Sequence, residues 1–214
     1  MAITKQQTPQ IEASENGPYL VRDLEDLKNS KGDQLPTKTM IALCRCGGSA
    51  NKPFCDGTHA TNGFSGEKLT DGSNDKRDNY EGQNITIHDN RGICAHQAFC
   101  SKGSPSVFLY QVEPWIDPKG SEAQEIIKTI KTCPSGALSY SIDGMEHRDQ
   151  DREPKITVSK DGPYFVTGAI ELKNQPTGEG ASKEHYTLCR CGASKNKPFC
   201  DGTHWSIGFK DGKN

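Results

Sequence analysis

Cys189-Arg-Cys-Gly-Ala-Ser-Lys-Asn-Lys-Pro-Phe-Cys-Asp-Gly-Thr-His204 repeats, almost letter for letter, the earlier run Cys44-Arg-Cys-Gly-Gly-Ser-Ala-Asn-Lys-Pro-Phe-Cys-Asp-Gly-Thr-His59. Each copy sets three thiols and one imidazole in the pattern C-x-C-x8-C-x3-H, four soft or borderline donors in one loop. Two Cys one residue apart reach a single small centre only from a turn, which Gly47 with Gly48, and Gly192 in the second copy, permit. The third Cys and the His are four apart, the spacing of one face of a helical turn. Asp56 and Asp201 stand where such a turn would be capped, and Gly63 and Gly208 where it would end. Cys44, Cys46, Cys55 and His59, then Cys189, Cys191, Cys200 and His204, are therefore two candidate metal cages.

The duplication extends beyond the loops. Residues 9–64 and 154–209 align without a gap at one offset of 145 positions (189 − 44): Pro9-Gln10-Ile11 answers Pro154-Lys155-Ile156, and Gly17-Pro18-Tyr19 answers Gly162-Pro163-Tyr164. Two copies make a tandem, since a solenoid would need at least three. Within a copy, Lys155–Ser159 and Tyr164–Gly168 read as short strands around a Lys-Asp-Gly-Pro turn, and Tyr186-Thr-Leu leads into the ligand loop. Tyr19, Tyr164, Phe54 and Phe199 are expected to pack a minimal core or shield the centre.

Composition agrees with small stapled units. Of 214 residues only 32% are hydrophobic and 7% aromatic, with 22 glycines, which argues against one large apolar core. A centre that binds only the folded form supplies the stability such units lack. A formal charge of −2 gives no reason to expect nucleic acid. There is no apolar run of membrane-spanning length, and the opening Met1–Thr8 is too polar for a signal peptide. Nine Cys do not suit a closed disulfide framework, so a reducing, cytoplasmic setting is expected.

Between the copies, 65–83 is polar and glycine-punctuated and reads as a linker, and 146–153 as a second charged joint in which His147 is a surface residue. The segment between them has strand-like Asn84–His88, then Cys94-Ala-His96-Gln-Ala-Phe-Cys100, a strand-like Ser106–Tyr110, and an amphipathic helix over Ser121–Lys131 capped by Ser121. The helix delivers Cys133-Pro134, followed by a last strand. A Cys-Pro pair answering a distant Cys cluster is the closing half of a ferredoxin-type ligand set.

The run C-x-C-x2-S-x3-P-x-C-D-G-T-H closely resembles the signature of the CDGSH, or NEET, iron–sulfur proteins, Thr58 and Thr203 replacing the signature Ser. That resemblance implies that each outer set of three Cys and one His holds a 2Fe-2S cluster. A zinc site remains the alternative, although C-x-C is tighter than zinc knuckles use. The middle segment resembles the divergent single-cluster ferredoxin domain, with C-x-H-x3-C followed by C-P-S-G-A-L. Gln97 occupies the place of the second Cys, so either Cys94, Cys100 and Cys133 alone hold a 3Fe-4S cluster, or a 4Fe-4S cluster is completed by His96 or solvent.

The expected fold class is therefore α+β: small β-rich, metal-stapled modules at 1–67 and 151–214 flanking a ferredoxin-like α+β domain at 68–150. The expected role is electron transfer to redox partner proteins, the runner-up a cluster carrier or redox sensor serving apo iron–sulfur proteins. A monomer is expected, its outer modules packed as a pseudo-symmetric pair. Arg45, Arg190, Lys52 and Lys197 flank the cages as tuning or docking charges, or as ordinary surface charge. No G-x-S-x-G, G-x-x-x-x-G-K or H-E-x-x-H motif occurs, so no other catalytic constellation is expected.

Overall fold

The computed structural model describes residues 8–214; most of the polar opening segment lies outside the described residues. Among the described residues twelve short strands form three four-stranded sheets. The first copy supplies β1 (Gln10–Ala13), β2 (Tyr19–Arg22), β3 (Asp26–Lys28) and β4 (Met40–Leu43), then a single 3-10 turn at Thr58–Ala60. The middle segment supplies β5 (Arg77–Glu81), β6 (Thr86–Asn90), a 3-10 turn at Arg91–Ile93, α1 (Phe99–Gly103), α2 (Ala123–Ile130), β7 (Leu138–Ile142) and β8 (Met145–His147). The second copy follows with β9 (Lys155–Val158), β10 (Tyr164–Thr167), β11 (Glu171–Lys173), β12 (Tyr186–Leu188) and α3 (Thr203–Ser206). The class is α+β and β-rich, with few helices.

The outer sheets exchange an edge strand. One runs β11-β1-β2-β4 and the other β12-β10-β9-β3, so each copy gives its third strand to the other. The exchanged strands add in parallel and in equivalent register, Leu27 opposite Ile156 and Leu172 opposite Ile11. Alternation puts Ile11, Tyr19, Val21, Leu27 and Leu43 of one copy and Ile156, Tyr164, Val166 and Leu188 of the other into a single core. A pair of sheets this small could not each enclose a core, and the swap lets one apolar interior serve both.

The middle segment has its own core, with Ile87, Val107, Phe108, Ile116, Ile126 and Ile130 beneath the antiparallel sheet β5-β6-β7-β8. Three expectations need correction here. The linker expected over 65–83 contains β5, whose polar residues face outward while its backbone pairs with β6 from Arg77↔Asn90 to Glu81↔Thr86. Ser106–Tyr110 is no strand beyond one bridge, Phe108↔Ile116, because the Val107 and Phe108 amides both donate to Ser104 O; its apolar pattern records burial alone. The helix begins at Ala123 with Glu122 as N-cap and no side-chain cap, so the buried Ile126, Ile127 and Ile130 set its extent and not Ser121. His147 is exposed and stacks on Tyr140, with ring centroids 4.9 Å apart.

Candidate metal centres

Each outer ligand loop hangs from its sheet by matching hydrogen bonds. Cys44 N donates to Pro53 O (2.7 Å) and Cys55 N to Ala42 O (2.8 Å); in the second copy Cys189 N donates to Pro198 O (2.8 Å) and Cys200 N to Thr187 O (3.1 Å). The N-caps of the two ligand turns are Gly57 and Gly202, without a side-chain cap, so Asp56 and Asp201 do not cap them as expected but brace the loop from one residue earlier. One oxygen accepts from Thr58 N (3.1 Å) or Thr203 N (3.0 Å), and the other accepts across the loop from Ala50 N or Lys195 N, both at 2.8 Å. Hydrogen bonds from the Thr58 hydroxyl and amide hold the Asp56 carboxyl well below the usual carboxylate range.

The donors fall into pairs. Cys44 Sγ lies 3.9 Å from Cys46 Sγ, and Cys189 Sγ 3.7 Å from Cys191 Sγ. Cys55 Sγ lies 3.4 Å from His59 Nδ1, and Cys200 Sγ 3.4 Å from His204 Nδ1. Two sulfurs about 2.3 Å from one tetrahedral ion stand about 3.8 Å apart, and a sulfur and an imidazole nitrogen about 3.5 Å apart. Each pair thus has the spacing of two ligands on one metal, while among the described residues no three donors converge on a single ion. Backbone amides point at the sulfurs, Gly48 N at Cys46 Sγ and Gly57 N at Cys55 Sγ, each at 3.4 Å. Burial pushes the Cys44 thiol up to about 11 and raises Cys200 further, so these sulfurs become thiolates when a cation replaces the proton. The residues present fit a metal centre of two ions.

The two cages meet at the pseudo-twofold axis. A Cβ on Gly47 would stand 2.5 Å from Cys191 O, and one on Gly192 2.5 Å from Cys46 O. Both glycines have positive φ, so Gly is required twice over, by conformation and by the partner's backbone. The tyrosines cross the same axis. Tyr19 Oη donates to Cys189 O (2.9 Å) and Pro198 O (2.8 Å), while Tyr164 Oη donates to Cys44 O (2.8 Å) and Pro53 O (3.0 Å). Each copy's tyrosine therefore holds the other copy's ligand loop.

Of the four flanking cations, three are not surface charges, and Lys52 is half-buried. Arg45 and Arg190 are buried. Arg45 donates to Ser14 O and Gly66 O, and Arg190 to Gly162 O, Ser159 O and the Asp211 carboxylate. Lys197 is buried near the Phe64 ring, and Lys52 Nζ donates to Ser49 O (2.6 Å). These side chains stitch loops together.

In the middle segment Cys94 follows the 3-10 turn capped by the Asn90 side chain, Cys100 lies on α1 and Cys133 just past α2. All three line a cavity of about 550 Å³. Burial raises Cys94 to about 12 and lifts Cys100 as well, with the nearby Cys133 adding to both. His96 is brought to the rim with φ 51°, its ring against the position a Gly202 Cβ would take. No hydrogen bond among the described residues joins that ring to a thiol, although His96 N donates to Cys94 Sγ (3.4 Å). Asp89 lines the same cavity, buried, with neither carboxylate oxygen hydrogen-bonded. Sequence reasoning missed it because an Asp in a β-strand pattern carries no ligand signature.

Comparison with known proteins bears on all three regions. The family model described as an iron-binding zinc finger of CDGSH type matches residues 16–60 and 161–205, and that for a divergent 4Fe-4S mono-cluster matches 80–143. The chain is similar to the uncharacterized protein YjdI of Escherichia coli strain K12 and of E. coli O157:H7. In each case 39% of 61 residues are identical, spanning 28% of this chain and 80% of the relative. No solved structure matches significantly.

Proposed function

The chain belongs to the CDGSH iron-binding family, in a tandem form whose modules flank a divergent 4Fe-4S mono-cluster domain, and on that premise we propose that it is a multi-centre electron carrier. It is an iron–sulfur protein. The observation that carries the finer reading is the pairing of donors in each outer loop, which supports a 2Fe-2S cluster with Cys44 and Cys46 on one iron and Cys55 and His59 on the other. Cys189 and Cys191, then Cys200 and His204, repeat the set. Cys94, Cys100 and Cys133 would hold the central cluster, 3Fe-4S or 4Fe-4S, with His96 on its rim. Such clusters supply one-electron redox chemistry.

Three one-electron centres within one short chain suit a relay between partner proteins better than a single binding event does. Replacing one thiolate by neutral imidazole removes a negative charge from each outer centre and raises its potential above that of an all-Cys cluster. Among the described residues no helix is long and apolar enough to cross a membrane. Iron and sulfide quantitation with EPR on anaerobically purified protein tests the reading. Reversible reduction of all three centres without loss of iron supports it, and a colourless zinc-loaded protein overturns it. Transfer of intact cluster to an apo-ferredoxin, without reversible reduction, would favour the cluster-carrier role.

A further inference from the structure

Duplication made the outer centres alike in sequence, but the middle segment docks on one of them alone. Gln97 places its amide Nε2 3.0 Å from His204 Nε2 and donates from the same nitrogen to Ala95 O (3.2 Å). Trp205 Nε1 donates to His96 O (3.1 Å), Asn196 Nδ2 to Gly92 O (3.0 Å), and Phe99 meets Phe165 edge to face at 6.0 Å. The positions answering Trp205 and Phe165 in the first copy are Ala60 and Leu20, so two of the four contacts fall where the copies have diverged, while His204 and Asn196 keep their counterparts His59 and Asn51. Among the described residues, no hydrogen bond joins 77–147 to 8–64, and His59 Nε2 has no hydrogen-bond partner. His204 is buried at 2% exposure, whereas His59 is half-buried.

We propose that the three centres form an ordered line, central to His204-held to His59-held, and that Gln97 is the positioning residue that sets the potential of the middle one. This rests on the electron-carrier reading. The imidazole that binds metal through Nδ1 carries its proton on Nε2, so with metal bound the Gln97 carboxamide, whose nitrogen faces Nε2 in this structure, turns over, gives up its bond to Ala95 O and offers its oxygen to that N–H. An acceptor there makes the imidazole a stronger donor to iron and favours the oxidised centre. Beyond it, the Gly47 and Gly192 approach brings the two outer loops into backbone contact, and the half-buried His59 edge, which no hydrogen bond from the middle segment covers, is where an external partner exchanges electrons.

The test is a redox titration of the full chain, followed by visible absorption and EPR, with the outer centres distinguished in His59→Cys and His204→Cys backgrounds. Gln97→Leu should raise the midpoint of the His204-held centre, and Gln97→Glu, which keeps and strengthens the acceptor, should lower it. The His59-held centre should stay put in both. The proposal is overturned if both outer centres move together, if neither moves, or if Leu and Glu shift the midpoint the same way, as a purely structural role would. Should no centre reduce reversibly, the carrier reading falls, and the Gln97 assignment is then scored by cluster loss. Gln97→Leu hastening decay of the His204-held centre alone sustains it, and equal decay of both removes it.

Discussion

Tyr164→Phe removes one oxygen from the second copy, yet the loop it should loosen belongs to the first. Tyr164 is fully buried, and its hydroxyl donates to Cys44 O (2.8 Å) and Pro53 O (3.0 Å). Pro53 O keeps a second donor in Cys44 N, but Cys44 O has no other among the described hydrogen bonds outside the ladders. Leaving a buried carbonyl unpaired costs about 1–3 kcal/mol. If loss of the cluster passes through opening of the loop, the same energy appears as roughly 5- to 160-fold faster loss. The assay follows decay of visible absorbance in excess chelator, with the outer centres told apart by His59→Cys or His204→Cys. The expected outcome is accelerated loss of the His59-held centre, and Tyr19→Phe should do the reverse, loosening the His204-held one. Less than twofold change, or faster loss only from the variant's own copy, would refute the crossed arrangement.

Gly47→Ala and Gly192→Ala should each prevent full iron incorporation, because the added methyl meets partner backbone at 2.5 Å; Gly63→Ala, with open space at φ 71°, should cost only about 1 kcal/mol, as metal analysis and thermal unfolding would show. Arg190→Met strands the buried Asp211 carboxylate and should destabilise by about 3–5 kcal/mol in denaturant unfolding, with Arg190→Met/Asp211→Leu recovering part of the loss. Asp89 is pushed up to about 7 by burial. A carboxyl raised above its unfolded value of about 3.9 stabilises the fold most below that value, and the contribution fades as pH climbs through about 7. Wild type should therefore lose about 1.4 kcal/mol between pH 6 and 8.5 that Asp89→Asn does not, measured by urea titration at the two pH values.

The donor sets, the duplication at a constant offset and the ferredoxin-like pattern of Cys94, Cys100 and Cys133-Pro134 were all written in the chain, because ligand spacing and turn chemistry are short-range properties. The strand exchange was not. Leu27 and Leu172 carry the same apolar signal whichever sheet they join, and by symmetry either pairing buries them equally. The connections between elements and the crossing tyrosines decide it, through contacts more than a hundred residues apart. The same holds for Arg45 and Arg190, whose charge reads as surface in sequence while the fold surrounds them with carbonyls. Gln97 showed in the sequence only as a missing cysteine, and its place beside His204 depends on how a separate domain docks. The chain by itself determined which donors stand together in each loop. Tertiary structure alone made two near-identical loops unequal, since a single neighbour can cover only one of them.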